Sequence, residues 1–85
     1  MEIGFTDKAK ADLESWKKSG GKSIQNKISK LIESILSTPY EGLGKPEPLK
    51  YDLAGTWSRR INKEHRIVYE VEKNKIIILS LKGHY

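Results

Sequence analysis

Residues 66–81 read Arg-Ile-Val-Tyr-Glu-Val-Glu-Lys-Asn-Lys-Ile-Ile-Ile-Leu-Ser-Leu, and the way they alternate decides the fold. Ile67, Tyr69 and Val71 alternate with Arg66, Val68 and Glu70, the period-two pattern of a strand. Glu72-Lys73-Asn74-Lys75 is a polar connection. After it, Ile76, Ile77, Ile78, Leu79 and Leu81 form an apolar run that reads as a central strand and holds the last residues close to the core. One strand earlier, Trp57 and Ile61 alternate with Ser58 and Arg60, and Asn62-Lys63-Glu64 supplies another hairpin connection. Three such strands in succession make an antiparallel meander.

Upstream the period becomes helical. Residues 2–5 are short and extended, and Thr6 is placed to cap a helix whose apolar side begins at Ala9 and continues through Leu13 and Trp16. Ser19-Gly20-Gly21 ends it. Ile24, Ile28, Leu31, Ile32, Ile35 and Leu36 then form the broad apolar stripe of a second helix, which Pro39 stops. The tight Gly-Gly connection predicts an antiparallel helical hairpin. The stripes of both helices need a surface to bury, and one face of a twisted antiparallel sheet supplies it, giving an α+β fold. Trp16 and Trp57 read as core residues. From Pro39 to Pro48 the chain is Pro-Tyr-Glu-Gly-Leu-Gly-Lys-Pro-Glu-Pro, in which no regular structure is expected. Glu47, between two prolines, is held near extended geometry there.

With 85 residues, the chain is expected to be one small domain spanning 1–85, with a modest core. Sixteen Lys and Arg against eleven Asp and Glu give a formal charge of +5, which favours RNA, DNA, an anionic membrane or an acidic protein as partner. The absence of cysteine removes disulfides and thiolate chemistry. Thr6-Asp7-Lys8 interrupts the only opening of a signal peptide, and no run approaches the ~20 apolar residues of a membrane-spanning helix, so a soluble cytoplasmic protein is the expectation.

Several side chains are suited to work on an anionic polymer. Guanidinium groups match phosphates bidentately, which singles out Arg59, Arg60 and Arg66; a solvated arginine pair on a hairpin is the plainer alternative. Strand alternation sends Arg59 and Arg60 to opposite faces. One is expected to point with Arg66 to the polar side, the other to lie near an edge or a partner. His84 exchanges protons near neutrality, and Glu47 is a second acid–base group. Flanking a phosphodiester with Arg66 between them, these two would cleave RNA: one takes the 2′-hydroxyl proton and the other protonates the leaving 5′-oxygen. His65, on or beside a hairpin, reads as a surface or turn residue. Two separated histidines without a carboxylate cluster do not suggest a metal site, and no phosphate-binding glycine loop is present.

The chain resembles the YoeB/Txe toxins of bacterial type II toxin–antitoxin systems, a branch of the RelE-like ribonucleases. The resemblance rests on residues 38–50 (Thr-Pro-Tyr-Glu-Gly-Leu-Gly-Lys-Pro-Glu-Pro-Leu-Lys), 53–61 (Leu-Ala-Gly-Thr-Trp-Ser-Arg-Arg-Ile), 64–69 (Glu-His-Arg-Ile-Val-Tyr) and the closing Lys82-Gly83-His84-Tyr85. It covers essentially the whole chain. It implies a RelE-like fold, two N-terminal helices packed on a mostly antiparallel twisted sheet that residues 2–5 join. It also implies a metal-independent endoribonuclease, without cofactor, that cuts messenger RNA in the ribosomal A site and leaves a 2′,3′-cyclic phosphate and a 5′-hydroxyl. Carried across, Glu47 matches the general base and Arg66 the phosphate-binding arginine. His84 matches the general acid and Tyr85 the terminal aromatic that orients the nucleotide, while Lys50 and Arg60 match basic residues lining the cleft. Gly83 departs from the bulkier residue of close relatives, which implies a looser tail. A guanidinium beside the base weakens it, so poor activity on free RNA is expected. The implied partners are the ribosome, messenger RNA, a YefM/Axe-like antitoxin with an acidic C-terminal segment and a second toxin copy, with DNA reached only through the antitoxin. A non-catalytic basic protein that inhibits translation by binding RNA or the ribosome is the alternative.

Overall fold

The computed structural model describes residues 1–49 and 55–83. Strand β1 (Glu2–Phe5) is followed by helices α1 (Asp7–Ser19) and α2 (Gly21–Ser37), then by strands β2 (Glu47–Pro48), β3 (Thr56–Arg60), β4 (Arg66–Glu72) and β5 (Lys75–Ser80). The five strands form one sheet in the order β1-β5-β4-β3-β2. Only the β1–β5 pair is parallel, with Ile3 opposite Ile76; the other pairs are antiparallel. This is the α+β arrangement that the periodicities predict.

The apolar stripes of the helices meet one face of the sheet. Ala9, Trp16, Ile28, Leu31 and Ile35 pack with Ile61, Ile67, Tyr69, Ile76, Ile78 and Leu81 in a single cluster. Each large aliphatic side chain removed from water there contributes about 1.5–3 kcal/mol before ordering costs. Thr6 caps α1 by accepting from the Ala9 N–H at 3.1 Å, and its hydroxyl donates to the Leu79 carbonyl at 2.9 Å. Farther along α1, the Asp12 carboxylate accepts from the N–H groups of Leu81 (2.9 Å) and Lys82 (3.2 Å), and Trp16 Nε1 donates to the Leu81 carbonyl at 2.8 Å. Helix α1 therefore grips the end of β5. α1 and α2 are separated by Gly20 alone, where an added Cβ would lie 2.7 Å from the Trp16 ring.

Two connections differ from the expectation. The proline-rich stretch is not irregular throughout, because Glu47 and Pro48 pair with Ser58 and Trp57 of β3. β2 lies at the sheet edge, where a proline's missing N–H leaves no ladder bond unmade. The β4–β5 turn is tighter than the four-residue reading: Glu72 and Lys75 already pair, leaving Lys73 and Asn74, the latter at φ 62°. The Asn62-Lys63-Glu64 hairpin stands as expected, with Asn62 Oδ1 accepting from the N–H groups of Glu64 (2.9 Å) and His65 (2.8 Å).

Candidate active site

The face of the sheet opposite the helices carries the groups suited to RNA chemistry. Register puts Glu47 beside Ser58 and Arg60 beside Arg66, so β2, β3 and β4 each contribute to one surface. Arg66 Nη1 donates to the Glu47 carboxylate at 3.2 Å and to Ser58 Oγ at 3.3 Å. The Glu47 side chain remains 62% exposed and that of Arg66 21%, so the carboxylate is reachable while the guanidinium is held. Among the described residues, the other two nitrogens of Arg66 make no hydrogen bond. A phosphate would find a positive group aimed and partly desolvated, next to a carboxylate able to take a proton.

Arg66 also reaches the chain's tail. Its backbone N–H donates to the Gly83 carbonyl at 3.2 Å, and the Gly83 N–H donates to His65 Nδ1 at 3.0 Å. Gly83, the residue before His84, has φ 122°, in the region that favours glycine. Where a looser tail was expected, Gly83 is bonded at both its N–H and its carbonyl. One residue thus holds Glu47 through its side chain and the approach to His84 through its backbone. Lys50, His84 and Tyr85 lie outside the described residues. Arg60 is exposed on this face.

Arg59 is a correction. It is neither a phosphate ligand nor an edge group: it is fully buried on the helix side, in phase with Trp57 and Ile61. Its Nε donates to the Tyr69 hydroxyl at 3.1 Å, and Nη1 donates to Ser34 Oγ (2.6 Å) and the Leu43 carbonyl (3.2 Å). Nη2 donates to the carbonyls of Thr38 and Glu41. All the guanidinium's donors are consumed by the end of α2 and the loop after it, so none is left for RNA. Tyr69 in turn donates to the Pro39 carbonyl at 2.6 Å. Burial pushes the Tyr69 phenol above its ordinary pKa, and the Arg59 guanidinium pulls the other way. The loop wraps tightly: Gly44 sits at φ 81°, its carbonyl accepts from Arg60 N–H at 2.7 Å, and a Cβ there would lie 2.7 Å from Leu31 Cδ2. Arg59 is thus a strut for the segment that delivers Glu47 to β3.

Ser58 is the site residue that sequence reasoning missed. It is fully buried and supplies the second acceptor for Arg66. Its one signal is parity: it shares a face with Arg60 two positions on. Among the described residues no group of three or more His, Cys, Asp or Glu is placed to hold a metal ion, and no helix is long and apolar enough to cross a membrane.

Comparison with known proteins agrees with this fold. A family described as YoeB-like toxin of bacterial type II toxin-antitoxin system matches residues 5–85. The chain is 44% identical to a toxin YoeB of Synechocystis over 85 residues, covering all of this chain and 98% of that one. Among solved structures, a YoeB/ParE toxin from Agrobacterium tumefaciens superposes with a TM-score of 0.94 at 41% identity, with both chains fully covered. A Staphylococcus aureus YoeB dimer, 44% identical over all of this chain and 98% of that one, gives 0.90, and the same protein's complex with YefM gives 0.88.

Proposed function

The chain belongs to the YoeB-like toxin family of bacterial type II toxin–antitoxin systems, ribosome-associated toxins that cut messenger RNA, and from that premise we propose that it is a ribosome-dependent endoribonuclease using Glu47, Arg66 and His84. Glu47 accepts the proton of the ribose 2′-hydroxyl as that oxygen attacks the adjacent phosphorus. Arg66 offsets the charge that grows on the non-bridging oxygens, and His84 protonates the departing 5′-oxygen. The P–O5′ bond breaks as the P–O2′ bond forms, leaving a 2′,3′-cyclic phosphate and a 5′-hydroxyl. Tyr85 orients the nucleotide, and Lys50 and Arg60 contact the RNA backbone. The observation that carries this reading is the double engagement of Arg66, side chain to Glu47 and backbone to the residue before His84.

The Glu47–Arg66 ion pair also supports dependence on the ribosome. The scissile phosphate competes with Glu47 for the guanidinium, and only a firmly placed substrate converts that competition into an in-line geometry. The +5 charge suits a partner with an acidic segment, and the YefM complex of the Staphylococcus aureus relative supports an antitoxin of that kind here. The dimer of that relative supports a second toxin copy as a further partner.

The test is primer extension on messenger RNA in a purified translation reaction, comparing the intact protein, His84→Ala, and the intact protein without ribosomes. New RNA ends at the A-site codon that require ribosomes and fall at least about 100-fold in His84→Ala are expected. Translation arrest without new ends, equal for both proteins, would instead identify a basic inhibitor that binds without cutting.

A further inference from the structure

Ser58 buries a hydroxyl on the sheet face opposite the helices. It is fully buried, and the next residues in its row across the sheet, Val68 on β4 and Ser80 on β5, are buried with it. Burying a hydroxyl costs free energy unless it is hydrogen-bonded. Among the described residues its side chain makes one hydrogen bond, accepting from Arg66 Nη1 at 3.3 Å. Its backbone meanwhile pairs with Glu47, whose carboxylate accepts from that same Nη1 at 3.2 Å. Nη1 carries two hydrogens, so Ser58 and Glu47 together saturate it. The other three N–H groups lie on Nε and Nη2, and one from each forms the parallel fork that matches two phosphoryl oxygens. The two ties on Nη1 differ in what the reaction does to them. Glu47 loses its charge when it takes the 2′-hydroxyl proton, at the step where charge grows on the phosphoryl group. The serine hydroxyl is neutral before and after that transfer.

We propose that Ser58 is a positioning residue for RNA cleavage: its buried hydroxyl holds Arg66 Nη1 as Glu47 is neutralised, so that the Nε–Nη2 edge stays on the phosphoryl oxygens through the transition state. The inference rests on Arg66 as the phosphate-binding group and Glu47 as the base, and it gives a role to a side chain that does not touch substrate. The contrast between the two ties supports it. The Glu47 carboxylate is largely exposed and shared with water, whereas the Ser58 hydroxyl is sealed, and a hydrogen bond shielded from water is the stronger one.

The test measures ribosome-dependent cleavage of messenger RNA by the full chain and by Ser58→Ala, Ser58→Thr, Arg66→Lys and the double variant of Ser58→Ala with Arg66→Lys. Removing the hydroxyl should lower kcat about 10-fold and leave KM for the ribosomal complex little changed, because the tie matters most as Glu47 takes the proton. Ser58→Thr keeps the acceptor and should recover most of that loss. A lysine at position 66 ends one bond short of Nη1, so in that background Ser58→Ala should cost less than about 2-fold. A hydroxyl that only supported the fold would cost the same in both backgrounds. Nitrogen-15 relaxation of the Arg66 Nε–H in the free protein gives a second readout, an order parameter that falls in Ser58→Ala. Equal losses in the two backgrounds overturn the proposal, as does Ser58→Ala cleaving at the wild-type rate or leaving the Arg66 side chain as ordered as before. Should Ser58→Thr not fold, its added methyl group meeting a fully buried position, the Ala variants and the relaxation decide the matter alone. A wild-type protein that cuts no RNA on ribosomes overturns the nuclease reading, while the relaxation still reports whether Ser58 holds Arg66.

Discussion

Arg59 and Arg66 lie on neighbouring strands of one sheet, yet its two faces use them in opposite ways. On the helix-covered face, Arg59 is fully buried and its guanidinium is saturated by Tyr69, Ser34 and three carbonyls of the loop after α2. On the opposite face, Arg66 is held by Glu47 and Ser58 through a single nitrogen, and among the described residues its other two nitrogens make no hydrogen bond. Side-chain type does not decide which is locked into the scaffold and which stays open to a ligand. What decides is whether the protein's own acceptors use up the donors.

That contrast breaks most visibly at Arg59. Arg59→Leu removes the partner of several buried acceptors at once, and a loss of about 3–5 kcal/mol is expected, read as a fall in the urea midpoint with the slope unchanged. A loss under about 1 kcal/mol would mean the loop is held by something else. Next is Arg66→Lys, which keeps the charge but loses the planar fork. Cleavage should drop about 100-fold while the urea midpoint stays near wild type. If instead stability falls and activity per folded molecule holds, the two faces are not divided as argued.

A smaller effect is expected at Asp12, a charged group held by the scaffold like Arg59. Burial raises its pKa, but hydrogen bonds from Lys8 and from the Leu81 and Lys82 N–H groups, together with the Lys8 charge, hold it below the ordinary value of 3.8. A depressed folded-state pKa stabilises the protein above the unfolded value, and that contribution is lost as pH falls through the folded one. Asp12→Asn should therefore cost about 1–2 kcal/mol at pH 7, with the gap to wild type closing below about pH 4 in parallel urea titrations. The smallest change is expected for the stability of Glu47→Gln. Its exposed ion pair contributes less than about 0.5 kcal/mol, so the urea midpoint should barely move while cleavage collapses.

Much of this division is legible in the sequence. Trp57, Arg59 and Ile61 share parity, so once Trp57 and Ile61 face the helices Arg59 has to follow. Residue type alone suggests a phosphate ligand at Arg59, and parity outweighs it. The helices and the meander were readable because their apolar residues recur at local spacings. The Glu47–Ser58 pairing was not, because register between segments joined by a long connection depends on packing that no local spacing records. His65 reads as a turn residue for the same reason: two of its partners, Trp16 and Gly83, come from opposite ends of the chain.

The parallel pairing of β1 with β5 bears on how the protein is made. Thr6, Asp12 and Trp16 all bond to residues of the segment from Leu79 to Lys82, and Ile3 pairs with Ile76. A nascent chain that has passed α1 and α2 can pack the two helices together, but it has no strand to pair with β1 until β5 has emerged. Such distant pairings couple the two ends into one late event. Glu47 and Arg66 are synthesised before that event, and Gly83 bonds to the Arg66 backbone only after it. The sheet thus closes only after β5 has left the ribosome.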